Sequence, residues 1–186
     1  SGLTMVRVAF EADFGDGRLP THIDVLMYHS ISTGAGPTCI DPETFAQQMA
    51  ALAEAGFHVM PLSQLATLRS GKGPSPGKIA IITFDDAYAD FALNAAPVLI
   101  ERGWPATVFA PTGWIGRQSG WSGASGEALM DWNQIRAVSR AGIEFGSHSV
   151  WHRDLTALHD DDLRRELTFS KSRLEQELGA PACTFA

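Results

Sequence analysis

Residues 79–84, Ile-Ala-Ile-Ile-Thr-Phe, form an almost unbroken apolar run that ends abruptly in Asp85-Asp86. A strand with one wet face alternates apolar and polar residues, and this one does not. It must therefore be covered on both sides, as strands are in a parallel sheet flanked by helices. Parallel neighbours need long crossovers, usually helical, and the rest of the chain is patterned to supply them.

Residues 23–28 read as a strand ending at His29. Asp41-Pro42 opens a helix, with Asp41 as N-cap and Pro42 at the first helical position. Phe45, Met49, Leu52 and Ala53 recur at helical spacing, and Gly56 closes the helix. A short strand follows at 58–60, then a helix over 63–70 capped by Ser63, then a Gly/Pro/Ser-rich loop over 71–77. Beyond the apolar strand, the pattern predicts a helix over about 90–102, kinked at Pro97 and closed by Gly103. A strand over 106–110 and a long Gly-, Ser- and Trp-rich loop over 111–130 come next; loops of that length are usually functional. Helix 131–141, strand 143–147, helix 160–178 and a strand from near Ala182 complete the series. Residues 1–22 form an N-terminal extension, and residues 23–186 form one α/β domain. Its alternation suits either an α/β barrel or an open doubly wound sheet. In both, chemistry gathers at the carboxyl ends of strands, where His29, Asp85-Asp86 and His148 all fall.

Composition narrows the partners. The 186 residues carry a formal net charge of −7, which argues against non-specific binding to nucleic acid or to an anionic membrane and suits a neutral or cationic substrate. No apolar run reaches the roughly 20 residues needed to span a bilayer. Residues Ser1 to Met5 have neither the basic stretch nor the apolar core of a secretory signal, which leaves the compartment open. The two cysteines, Cys39 and Cys183, lack metal or redox spacing and are expected to be buried free thiols.

Two carboxylates at the end of a buried strand are costly unless partnered. Successive strand residues point opposite ways, so Asp85 and Asp86 have separate roles unless the backbone turns between them. Asp86 could simply cap the following helix. The second signal is His148-Ser-Val-Trp-His152. Histidines four apart share one face of a helical turn and can bind one metal together, although by themselves they could equally be ordinary surface or core residues. Two histidines plus one strand-end Asp make a three-ligand set with open positions, the pattern of a catalytic ion rather than a structural one. Zinc is the default for such ligands, with cobalt, nickel or iron as alternatives. The ion would bring water towards a pKa of about 7, and the other Asp could take the proton.

Thr83-Phe84-Asp85-Asp86 and His148-Ser149-Val150-Trp151-His152 resemble the first two motifs of the polysaccharide deacetylase family (carbohydrate esterase family 4, the NodB-homology domain). Val25-Leu26-Met27-Tyr28-His29, Ala106 to Thr112, Trp114-Ile115-Gly116 and Glu144 to Ser147 are similar to it as well, in the same order. The resemblance implies a distorted (β/α) barrel, Asp85 as general base, and Asp86, His148 and His152 as metal ligands. It also implies hydrolysis of N-acetyl groups on a polymer such as peptidoglycan, chitin or an exopolysaccharide, at an extracytoplasmic or cell-envelope location. His29, Trp114 and Trp121 are the candidate substrate-binding residues. Trp132 is expected in the core and Thr83 behind the Asp pair. The chain reaches Cys183-Thr184-Phe185-Ala186 where the family's third motif begins. The later motifs, which would supply the acetyl-group wall and a general-acid histidine, and the last barrel strands are not among these residues. A carbohydrate-binding domain without catalysis, or a small-molecule cyclic amidohydrolase on the same fold, are the alternative readings.

Overall fold

The computed structural model describes residues 4–10, 21–34, 36–65, 77–121 and 126–186. Its centre is the expected strand, β6 (Ile79–Phe84), in which every residue is buried. The strands before it are β1 (Thr4–Phe10), β2 (Thr21–Tyr28), β3 (Ser30–Ile31), β4 (Cys39–Ile40) and β5 (His58–Val59). After it come β7 (Thr107–Ala110) and β8 (Glu144–Ser147). The main sheet runs β1-β2-β6-β7-β8, with β5 pairing the start of β6. All its pairings are parallel except β1 with β2. The strand foreseen from Ala182 is reduced to a single parallel bridge, Ser147 to Phe185.

Alternation along β6 divides the packing. Ala80, Ile82 and Phe84 face the large core with Leu26, Tyr28, Phe45, Phe91 and Leu99. Ile79 and Ile81 face a smaller cluster with Ile23 and Met60. Thr83, on this second face, donates to the Leu26 carbonyl at 3.2 Å, so it ties β6 to β2. In the large core, Phe84 lies between Tyr28, Phe45 and Phe91, with ring centroids 5.3, 5.8 and 4.7 Å away.

The helices follow their caps. In α1 (Pro42–Glu54) the Asp41 carboxylate accepts from Glu43 N, Pro42 opens the helix, and Phe45 and Met49 are buried. In α3 (Trp132–Arg140) Asp131 and Gln134 form a reciprocal capping box. Between them, α2 (Ala96–Glu101) is preceded by a π-helical turn over Phe91–Ala95. The wide turn accommodates Pro97, which has no N–H to give and a ring that crowds the previous turn. The last helix, α4 (Asp160–Leu178), has three acidic residues in its first turn and ends at Gly179 in the left-handed region.

Some expectations need correcting. Residues 4–10, within the N-terminal extension, form an edge strand paired with β2 from Thr4↔Met27 to Phe10↔Thr21. The described start of the helix expected over 63–70 is a 3-10 turn, Leu62–Gln64, with Pro61 before it. Ser63 does not cap it; its hydroxyl donates to Glu144. Residues 66–70, and 71–76 of the loop, lie outside the described residues. Both cysteines are free, but Cys183 is exposed and Cys39 only half-buried, because Cys183 lies on the irregular segment after α4. Trp132 is partly buried against the core.

Truncating Phe84 to Ala removes the ring that three other aromatics pack on. The expected loss is about 3–5 kcal/mol in chemical denaturation, with Phe84→Leu losing much less; equal stabilities for the two variants would show that the ring cluster does not carry this core.

Candidate metal centre

The site is built where β6 ends. Asp85 N donates to the Tyr28 carbonyl at 2.9 Å, extending the β2 ladder by one residue. The backbone then turns sharply, with φ of 69° at Asp86 and 55° at Ala87. This left-handed conformation is unfavourable for residues with a Cβ, by roughly 1–2 kcal/mol each, and here it breaks the strand alternation. Instead of capping the next helix, the Asp86 carboxylate turns towards two histidines. The turn is held from outside: Met130 N donates to the Ala87 carbonyl and Ala89 N to the Ala128 carbonyl, at 2.9 and 2.8 Å. The described parts of the long segment, residues 111–121 and 126–130, are therefore clamped by their own backbone, with further bonds from Gly116 N to Met130 O and from Leu129 N to Arg117 O.

His148 and His152 reach the site by a route the spacing did not reveal. Residues 148–152 are not a helical turn but a loop leaving β8, with Ser149 and His152 at φ of 60° and 53°. Thr112 N and Gly113 N donate to the Ser149 and Val150 carbonyls, and His152 N donates to Ser149 Oγ. Buried Glu166 accepts from Val150 N and Trp151 N at 2.7 and 2.8 Å. Glu166 was missed from the sequence. Its signal was a polar interruption, Glu166 and Ser170 with Leu174, on the buried stripe of α4. Gly113 is also required, since a Cβ there would lie 2.7 Å from the Trp151 ring.

Asp86 Oδ1 lies 3.2 Å from His152 Nε2 and 3.6 Å from His148 Nε2. One ligand atom from each of these three residues falls within 4.8 Å of the others. His148 Nδ1 is 2.6 Å from the Ala186 carbonyl oxygen. A carbonyl can only accept, so Nδ1 carries the proton and the Nε2 lone pair is left for the Asp86 side. Among the described residues, Asp85 Oδ1, Asp86 Oδ1 and His29 Nδ1 are buried side-chain atoms without a hydrogen-bond partner. Leaving such groups unpaired costs about 1–3 kcal/mol each. A divalent ion between Asp86, His148 and His152 fits this donor set of two imidazoles and a carboxylate, and zinc, cobalt, nickel or iron would suit it.

Electrostatics separates the two aspartates. Burial pushes the Asp85 carboxyl up to about 6, against the opposing pull of His29 and with the neighbouring Asp86 charge adding to the rise. Burial raises Asp86 too, but the adjacent His152 and His148 outweigh it and hold Asp86 below the ordinary carboxylate range. Burial lowers His148, whereas the close Asp86 carboxylate raises His152. His29 Nε2 lies 3.8 Å from Asp85 Oδ2. Trp121 stacks on His152 at 4.2 Å and donates to the Tyr88 hydroxyl. Trp114 meets Trp121 edge-on at 5.6 Å and donates to the Trp151 carbonyl. The structure thus gathers Asp85, Asp86, His148, His152, His29 and Trp121 around one point, with Trp114 one ring further out.

A family model described as polysaccharide deacetylase matches residues 72–186. The protein YxkH of Bacillus subtilis (strain 168) is 32% identical over 153 residues, covering 82% of this chain and 51% of that protein. The poly-beta-1,6-N-acetyl-D-glucosamine N-deacetylase of Escherichia coli (strain K12) is 33% identical over 111 residues, covering 55% of this chain and 16% of that protein. The chain thus spans about half the length of the first relative and far less of the second. Two solved structures share the fold, each with a TM-score of 0.75 and 24% identity: Streptococcus pyogenes deacetylase PplD in complex with acetate, and IcaB from Ammonifex degensii. The first match covers 87% of this chain and 71% of that one, the second 88% and 72%.

Two outcomes follow from the geometry. The folded-state value of Asp85 lies above its ordinary 3.8, so the folded chain keeps this proton between about pH 4 and 6, and stability is lost as pH rises through that window. In metal-free protein, Asp85→Asn should be the more stable form at pH 7, by on the order of 2 kcal/mol. That gain should vanish near pH 4 in denaturant titrations; a constant difference across pH would refute the burial argument. Glu166→Gln weakens the brace on the 150–151 backbone, and zinc affinity should drop by about tenfold or more in a chelator competition with the fold intact.

Proposed function

The chain belongs to the polysaccharide deacetylase family, and from that premise we propose that it forms part of a metal-dependent hydrolase removing N-acetyl groups from a carbohydrate polymer. The observation that carries this reading is the convergence of Asp86, His148 and His152 beside a carboxyl poised near neutrality. A divalent ion held by those three residues would lower the pKa of water and polarise the acetyl carbonyl. Asp85 acts as the general base. Its raised value, about 6 before any ion binds, keeps it a competent proton acceptor near pH 7, and its unpartnered Oδ1 is free to receive the proton.

His29 is assigned to hold Asp85 in orientation across their 3.8 Å approach. Trp121 keeps the His152 ring in place by stacking, and Trp114 and Trp121 border the substrate side, where flat aromatic faces suit the apolar side of a pyranose. The relationship to an enzyme named for poly-beta-1,6-N-acetyl-D-glucosamine supports an N-acetylglucosamine polymer as substrate.

Elemental analysis and acetate release from N-acetylglucosamine oligomers test the assignment together. About one divalent ion per chain is expected, lost in Asp86→Ala and His148→Ala. Asp85→Asn should keep the ion yet lose about 100-fold or more in turnover. Unchanged metal content in Asp86→Ala, or acetate release that survives chelation, would sink the proposal. A folded protein that binds oligosaccharide but takes up neither zinc nor cobalt would instead be a binding domain.

A further inference from the structure

A concavity of about 510 Å³ lies between the 112–117 segment, the 150–151 loop, Trp132 of α3 and one face of α4. Arg117, Trp151, Phe169, Ser172, Arg173 and Gln176 line it. Two of these are large apolar side chains left open, Trp151 at 45% exposure and Phe169 at 63%. Exposed aromatics in a concave, polar-rimmed setting mark a binding surface more often than a solvated one.

The groove's charge is opposite to that of the chain. The net charge of −7 is an average, whereas here Arg117 and Arg173 both line the groove. Arg173 sits over the Trp132 ring at 5.4 Å and pairs with Glu177 at 2.8 Å. Glu177 is also held by Arg136, so the one carboxylate is shared between two arginines. Arg117 lies over the Trp151 ring at 6.0 Å, with no carboxylate at ion-pair distance among the described residues. Stacked guanidiniums keep their N–H edges free for a planar oxyanion.

A line of packed rings links the groove to the site. From His152 the rings pass to Trp121 at 4.2 Å, to Trp114 at 5.6 Å and to Trp151 at 6.1 Å. Trp151 precedes His152 in the chain, and its backbone is fixed by Glu166 and by the Trp114 indole. This line of rings joins His152 to Trp151 on the groove wall.

Taking the deacetylase reading as its basis, we propose that this groove is a remote subsite for the same glycan chain, and that it selects units bearing a carboxylate or similar oxyanion. The aromatic faces receive the sugar rings, Ser172 and Gln176 offer hydrogen bonds, and Arg117 receives the anion. Polymers with acidic substituents near the N-acetylated unit are then preferred over neutral ones.

The test compares two hexasaccharides on the metal-loaded protein by calorimetry at low salt: a neutral N-acetylglucosamine oligomer and one alternating glucuronate with N-acetylglucosamine. The acidic oligomer should bind about tenfold more tightly, and the advantage should shrink as salt screens it. Arg117→Gln should bring the preference to about twofold or less, and Phe169→Ala should weaken the acidic oligomer several-fold. Both should leave metal content as in the parent, and Arg117→Gln should also leave acetate release from the neutral oligomer unchanged. Equal affinities in the parent, or a preference that survives Arg117→Gln, overturn the subsite. Absence of acetate release from the parent itself counts against the deacetylase reading alone, because the affinity ratio is measured without turnover.

Discussion

A charged carboxylate at the end of a strand sealed on both faces is the constraint to which the rest of the molecule responds. Asp85 and Asp86 are only 8% and 4% exposed, in a medium where an uncompensated charge is expensive. The chain answers with a backbone that turns left-handed at two residues with side chains, Asp86 and Ala87. That turn persists only because its surroundings over-determine it: Met130 and Ala128 hold it through backbone bonds. Without the turn, Asp86 would point into the helix-covered core with Phe84 and Ile82. With it, both carboxylates open on the same side, one charged beside two imidazoles and one held back by burial.

The second half of the site obeys the same logic. The 148–152 loop gives up helical hydrogen bonds and takes long-range ones instead, to Thr112, Gly113 and Glu166. Such a loop is as rigid as its supports, which are the turn that follows β7 and the buried Glu166 of α4. The His148 and His152 rings are thereby held beside the Asp86 carboxylate. The line of tryptophans beyond His152 dries one side of the centre and carries the rigidity outward to a groove of opposite charge.

Much of this was legible in the linear pattern. The core strand announced itself by lacking alternation, and α1 began where Asp41 predicted a cap. The Asp pair and the two histidines stood out because their chemistry is costly anywhere but at a site. Other features left weaker traces. The β1 segment, Thr-Met-Val-Arg-Val-Ala-Phe, is rich in β-forming residues, but its place in the sheet comes from pairing with β2. The π-turn before Pro97 is a backbone compromise that a kink prediction only approximates. A spacing of four describes a helical turn and a tight loop equally well, so His148 and His152 were grouped correctly but for the wrong geometric reason. Glu166 left only the trace of a polar residue on the buried stripe of α4 with Ser170 and Leu174, and that trace does not say what it braces.

By itself, the sequence determined which segments must be buried and which residues bear chemistry, because burial and capping are read from composition and spacing over a few residues. Only the tertiary structure decided how those residues meet. Left-handed turns without glycine, a buried Glu166 beneath a loop and a tryptophan stacked on His152 have no intrinsic preference to reveal them. Each exists because distant backbone and packing forces hold it there, and those forces are defined only once the strands and helices are assembled.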